Sequence, residues 1–149
     1  MDSLDSSKSG FKVKLSHIAI ACPGIEALQK KLEVLSLRVE ESHEVPTEKV
    51  KAGMIPIEVS EHLRVELLEP TGADSPIAKF LAKRSDGGLH HLCFEVEGIE
   101  KWEALLKKEG FDVLPPGIRK AARGRALFIH PKSMGGVLVE LEEISAAAH

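Results

Sequence analysis

Apolar and polar positions alternate from Lys12 to Ala21 as they do in a strand. Ile18 and Ile20 fall on one face, and Leu15, His17, Ala19 and Ala21 on the other. Pro23 and Gly24 end the alternation, and the period then lengthens. Ile25, Leu28, Leu32 and Leu35 form one stripe with Glu26, Lys30, Lys31 and Glu33 mostly off it, which predicts an amphipathic helix. Strands are expected next over Arg38 to Val45, over Lys49 to Val59 with an interruption at Pro56, and over His62 to Leu68. In the last of these, Leu63, Val65 and Leu67 oppose Arg64, Glu66 and Leu68. The loop from Glu69 leads to a helix start, with Ser75 as cap and Pro76 at the first helical position. Ile77, Phe80 and Leu81 give this short helix an apolar stripe, and Ser85-Asp86-Gly87-Gly88 ends it.

The second half repeats the order. His90, Leu92, Phe94 and Val96 share one strand face, and Leu89, His91, Cys93 and Glu95 the other. A helix from about Ile99 carries Trp102, Leu105 and Leu106 and stops at Gly110. Short strands are expected over Asp112 to Leu114, Arg125 to His130 and Val137 to Glu142. Each half therefore reads β-α-β-β-β. The match extends to individual residues. Leu15 falls on Leu89, His17 on His91, Gly24-Ile25-Glu26 on Gly98-Ile99-Glu100 and Val65-Glu66-Leu67 on Val139-Glu140-Leu141, all at a spacing of 74 residues. One gapless shift pairs two histidines and two glutamates, which implies two copies of one supersecondary unit.

Strand parity turns this repeat into a site. In four strands the better apolar face is Ile18/Ile20, Leu63/Val65/Leu67, Leu92/Phe94/Val96 and Val137/Val139/Leu141, and that face is expected to pack on the two amphipathic helices. His17, Glu66, His91 and Glu140 all lie on the opposite face. A curved sheet with helices outside would place them in a cleft, where Ala19, Ala21 and Cys93 leave room for a ligand. Two imidazoles and two carboxylates suit a divalent metal such as zinc, cobalt, nickel or manganese. Taken singly, each of these side chains has a bland reading as a surface or satisfied core residue, and Glu66 could face solvent on an edge strand.

The remaining polar groups are weaker candidates. His90 is expected to be structural, His43, His62 and His149 to be at the surface, and His130 to brace the turn at Pro131. The stretch Arg119-Lys120-Ala121-Ala122-Arg123-Gly124-Arg125, with Lys132 near it, is either a solvated basic loop or a grip on phosphates. Gly135-Gly136 reads as a turn. Cys22 and Cys93 do not match under the repeat and are expected to be buried, reduced thiols.

Composition narrows the function classes. Of 149 residues, 43% are hydrophobic and 29% charged, as in an ordinary globular protein. A net charge of -3, with five Phe, one Trp and no Tyr, gives no footprint for nucleic acid. No apolar run approaches a membrane span. Residues 1–10 read as a flexible polar tail without signal- or transit-peptide character, so a cytoplasmic protein is expected. A single domain is expected over 11–142, with module one at about 12–70, a linker helix at about 75–84, module two at about 87–142, and a tail at 143–149.

At these residues the chain resembles the vicinal oxygen chelate superfamily, and within it the methylmalonyl-CoA epimerase family. The resemblance runs from about Lys14 to Glu142. It is carried by Leu-Ser-His-Ile-Ala-Ile-Ala around His17, by Val65-Glu-Leu-Leu-Glu-Pro70, and by Asp74-Ser-Pro-Ile-Ala-Lys-Phe-Leu81. Gly88-Leu-His-His-Leu92, His130-Pro-Lys132 and Gly135-Gly-Val-Leu-Val-Glu-Leu141 complete it. It implies an α+β fold in which the two modules form a curved open sheet around a metal cleft, as in glyoxalases. It further implies metal ligands His17, Glu66, His91 and Glu140, cobalt as the metal, a homodimer, and an acyl-CoA substrate whose epimers interconvert through a metal-stabilised enolate. Glu140 is the expected base, with Glu66 and Glu48 behind it. Arg123, Arg125 and Lys132 are the expected contacts to substrate phosphates. Some family members carry a second carboxylate on the third strand, and here Lys49 to Ile55 has none. Two other readings stay open: a glyoxalase I-like isomerase acting on a glutathione adduct, and a metal-free binding module of the same fold.

Overall fold

A computed structural model of the chain describes residues 12–58 and 62–145. The expected N-terminal tail and His149 lie outside the described residues. The order is β1 (Val13–Ala21), α1 (Ile25–Leu32) continued by a 3-10 turn (Glu33–Leu35), β2 (Glu41–Val45), β3 (Val50–Pro56), β4 (Arg64–Pro70) and α2 (Pro76–Lys83). It continues with β5 (Gly88–Val96), α3 (Ile99–Lys108), β6 (Arg119–Ala121), β7 (Gly124–Ile129), a 3-10 turn (Pro131–Ser133) and β8 (Leu138–Ile144). Both β-α-β-β-β modules are present, and the α+β class holds. The expected strand at Asp112–Leu114 is reduced to a single bridge between Val113 and Ile129. Its place is taken by β6, which lies inside the stretch read as a basic loop. Proline at 115 and 116 supplies no amide hydrogen for a ladder, so pairing resumes only after Gly117. No helix among the described residues is long and apolar enough to cross a membrane.

The described residues form two compact units, one of Ser16–His91 and the other of 92–145 with 12–15. In the first unit the strand order is β2-β3-β4-β1. β1 and β4 run parallel with Ala19 beside Glu66, and β3 pairs antiparallel with β4, Met54 opposite Glu66. Ile20, Val65 and Leu67 pack with Ile55 against Ile25, Leu28 and Leu32 of α1, as the apolar face predicts. The other face differs from expectation. Ala19, Ala21 and Leu68, with Val50 and Ala52, are covered by Ile77, Phe80 and Leu81 of α2. Ala19 and Ala21, expected to leave room for a ligand, instead receive this helix and are 0% and 1% exposed. An eight-residue helix with an apolar stripe must bury it somewhere, and two alanines let it come close.

The docking of α2 is fixed at both ends. Ser75 Oγ accepts from the Ile77 amide at 3.1 Å, and Lys49 pairs with Asp74 just before it. After the helix, Gly87 sits at φ +90, and a Cβ there would lie 2.3 Å from the Ala21 carbonyl oxygen. Only glycine allows that approach.

In the second unit the order is β5-β8-β7-β6, with β7 and β8 antiparallel and Phe128 opposite Glu140. Val96, Leu127, Ile129, Val139 and Leu141 pack on Ile99 and Leu106 of α3, with Phe94 and Trp102 at the margin. Both cysteines are buried, reduced thiols, as expected, and burial pushes the Cys22 pKa up to about 11.

The repeat extends beyond the residues that first revealed it. α1 and α3 both begin after glycines, Gly24 and Gly98, that have no capping side chain. A distant carboxylate takes over. Glu69 accepts from the Ile25 amide at 3.3 Å and Glu143 from the Ile99 amide at 2.9 Å. These two glutamates stand at the same spacing as the histidines, and each ties a strand to the first turn of its own helix, where negative charge is favourable.

Candidate metal centre

β1, β4 and β5 each contribute one side chain to a cluster in the first unit. His17 Nε2 lies 3.3 Å from His91 Nε2 and 3.4 Å from Glu66 Oε2. The three ligand atoms all fall within 4.8 Å of one another. His17 and His91 are 6% and 7% exposed, and the Glu66 side chain 14%. Glu66 is therefore turned into the protein. Its neighbours β1 and β3 flank β4 on both sides, so this carboxylate is not on an edge.

The geometry fits a metal. Donor atoms bonded at about 2.0–2.2 Å in tetrahedral or octahedral array stand roughly 3–3.5 Å apart along each edge. The two separations, 3.3 and 3.4 Å, fall in that interval. The protonation state fits as well. Burial, then the neighbouring imidazoles of His17 and His91's own neighbour His90, lower the His91 pKa to about 3. His91 is thus a neutral ring with a lone pair at neutral pH, as a ligand must be.

Glu140 lies in the second unit on β8, partly buried, at the position of the repeat that Glu66 holds on β4. Next to it in that unit, Glu142 is buried with its Oε2 3.5 Å from Cys93 Sγ. Glu48 is exposed in the β2–β3 turn, where its amide donates to the Val45 carbonyl.

His43 and His62 are exposed, as expected. His130 braces the turn after β7, its Nδ1 accepting from the Lys132 amide at 3.0 Å. His90 does not join the helices α1 or α3. It packs edge-to-face on Phe80 of α2 at 5.2 Å and reaches His91 through Nδ1 at 2.8 Å. Burial lowers its pKa, so it too is neutral.

The basic stretch is a hairpin, with β6 and β7 joined at Ala122-Arg123. Lys120, Arg123, Arg125 and Ser145 line an open groove on it. Its cations are not equivalent. Arg125 pairs with Glu100 and, at 2.6 Å, with Glu143. Arg119 donates to the Pro115 carbonyl and stacks on Phe128, 4.9 Å from the ring centre. Lys132 pairs with Asp112 at 2.9 Å. Among the described residues Arg123 has no side-chain partner. Sequence reasoning gave Arg123, Arg125 and Lys132 one role, whereas the structure engages two of them with carboxylates.

Two residue pairs were not evident from sequence, Glu69 with Glu143 and Ser16 with His90. Glu69 and Glu143 were within its reach, since the same shift that aligns Glu66 with Glu140 aligns them too. Ser16, like His90, contacts a cluster histidine in a way that no pattern announces.

The family model for the glyoxalase/bleomycin resistance protein/dioxygenase superfamily matches residues 16–128. The methylmalonyl-CoA epimerase of Dictyostelium discoideum is 41% identical over 133 residues, covering 87% of this chain and 78% of that protein. The ethylmalonyl-CoA/methylmalonyl-CoA epimerase of Cereibacter sphaeroides is 40% identical over 134 residues, covering 88% and 98%. Among solved structures, a Streptomyces coelicolor methylmalonyl-CoA epimerase in complex with 2-nitronate-propionyl-CoA superposes with a TM-score of 0.78 at 30% identity, over 89% of this chain and 95% of that one. A shared fold, a matched family model and relatives near 40% identity over most of both chains leave one assignment: the chain belongs to the glyoxalase/bleomycin resistance protein/dioxygenase superfamily and, within it, to the methylmalonyl-CoA epimerases.

Proposed function

We propose that the protein interconverts (R)- and (S)-methylmalonyl-CoA by removing the proton alpha to the thioester carbonyl and returning one to the opposite face. The observation that carries this reading is the buried His17–Glu66–His91 cluster in a chain about 40% identical to named epimerases. His17, Glu66 and His91 would hold a divalent metal, with Glu140 as the fourth ligand by its place in the repeat. Cobalt is the first choice of metal, and zinc, nickel and manganese suit the same donors. When bound, such an ion supplies electrophilic stabilisation of negative charge on the substrate oxygens.

The chain's own residues do the rest. The neutral His91 imidazole adds no charge to the site. Glu140 accepts the alpha proton as the C–H bond breaks and the electron pair moves toward the carbonyl oxygen. A second acid, for which Glu48 and Glu66 are the candidates, returns a proton on the other face. Arg123, with Lys120 beside it, offers charge to the phosphates of the coenzyme A portion, and Arg125 and Lys132 join if their carboxylate partners yield. The same reading includes a cytoplasmic protein and a homodimer, the latter checked by sedimentation.

The test is deuterium incorporation at the alpha carbon of methylmalonyl-CoA in heavy water. Exchange that is rapid, abolished by a chelator and restored by cobalt is expected. No exchange in the metal-loaded protein would refute the activity.

A further inference from the structure

Each histidine of the cluster is preceded by a polar side chain that reaches its outer ring nitrogen. Ser16 Oγ lies 3.1 Å from His17 Nδ1, and His90 Nδ1 lies 2.8 Å from His91 Nδ1. Both rings thereby turn Nε2 toward each other, 3.3 Å apart. Consecutive residues on a strand send their side chains to opposite faces, so contact between such neighbours is not the default outcome of packing. It nevertheless occurs twice, at positions related by the same spacing of 74 as the histidines themselves. The two copies keep a hydrogen-bonding neighbour there and change its kind, hydroxyl in one and imidazole in the other. Ser16 is buried, and the His90 ring is held against Phe80.

Hydrogen accounting gives the arrangement a direction. Two nitrogens 2.8 Å apart share one hydrogen, and a neutral imidazole has only one N–H to give. If His91 donates from Nδ1, its Nε2 carries a lone pair and His90 keeps its own hydrogen on Nε2. If His90 donates instead, the hydrogen of His91 sits on Nε2, aimed at His17, and no cation can bind there. Ser16 faces the same alternative, because a hydroxyl accepts as readily as it donates.

We propose that Ser16 and His90 are positioning residues that accept hydrogen bonds from Nδ1–H of His17 and His91 and so hold both Nε2 lone pairs ready for one divalent cation. This rests on the metal reading of the cluster and adds what selects the tautomer that reading requires. Outer partners of ligating histidines generally act in this way.

Zinc is the probe, since it is diamagnetic. Long-range proton–nitrogen NMR spectra of the zinc-loaded protein are expected to show His17 and His91 protonated at Nδ1 and His90 at Nε2. His90→Phe, which keeps a ring against Phe80, should weaken zinc binding about 10- to 100-fold. His90→Asn, which keeps an acceptor, should recover part of the loss. A zinc-loaded wild type with His90 protonated at Nδ1, or a His90→Phe protein with wild-type zinc affinity, overturns the proposal. Should that variant not fold, the wild-type spectra decide alone. Zinc binding that survives the double change of His17 and His91 to Ala overturns the metal site itself, which is a separate result.

Discussion

Glu140 and Glu66 occupy equivalent places in the two copies, yet the proposed reaction asks different things of them. Glu66 is gathered with two imidazoles on its own unit, where a carboxylate would neutralise a bound cation. Glu140 is asked to bind and also to take a proton. Glu140→Gln keeps the shape and one oxygen donor while removing the base. The variant is expected to retain much of its metal and to lose alpha-carbon deuterium exchange by about 10²-fold or more, the usual scale of general-base loss. Near wild-type exchange would move the base to Glu48 or Glu66. At this scale the sequence was informative where chemistry repeats. The gathering of His17, Glu66 and His91 was legible because one spacing and one strand parity selected these residues together. The roles of Ser16 and His90 were not legible, because a contact between side-chain neighbours depends on ring orientation, which no periodicity encodes.

Among the elements, α1 and α3 were legible from their stripes and β4 and β8 from alternation. The element misjudged was α2, whose amphipathic stripe was evident but whose target was not. Ala19 and Ala21 read equally well as space for a ligand and as a seat for a helix. The basic hairpin shows a related limit. Charge is visible in sequence, but the pairing of Arg125 with Glu100 and Glu143 depends on the register of β7 with β8. Arg123, unpaired among the described residues, is accordingly the better test of a phosphate grip. Arg123→Glu should raise KM for the acyl-CoA substrate more than it lowers kcat, because contacts remote from the reacting carbon are equal in ground and transition states. A fall in kcat at unchanged KM would assign the hairpin another task.

Glu143 makes a separate prediction at the same scale. The Arg125 guanidinium, then the Ile99 amide, hold its carboxyl below the usual carboxylate range. A folded-state pKa below the unfolded one adds stability that is present above the unfolded value and is lost as pH falls through the folded one. The group is partly exposed, so screening keeps this contribution small. Glu143→Gln keeps an acceptor for the Ile99 amide and removes only the charge, so it should cost about 0.2–1 kcal/mol in urea denaturation at neutral pH, and the gap from wild type should close in acid. A gap that is constant down to acid pH would mean the carboxylate's charge is irrelevant to the start of α3.

For the molecule as a whole, binding of an ion to the folded state alone must show in its melting temperature. Cobalt at about a hundredfold over its dissociation constant should add about 2.7 kcal/mol, which for a chain of this size is a rise of roughly 5–10 °C. The rise should vanish when His91 is replaced by Ala. A melting temperature indifferent to cobalt in the wild type would argue against the site.

The internal register of the two copies carries a consequence for how they differ. From the start of α1 to the start of β3, and from the start of α3 to the start of β7, the chain runs the same 25 residues, the difference between 25 and 50 and between 99 and 124. Within that constant length the copies spend their residues differently. One has an eight-residue helix, a 3-10 turn and a five-residue strand rich in glutamate; the other has a ten-residue helix, a proline turn and a three-residue strand bearing arginine and lysine. The copies differ there in sequence and in element lengths, not in total length. One frame thus carries glutamates on β2 and basic residues on β6 while the strands that bear the matched histidines and glutamates keep one spacing.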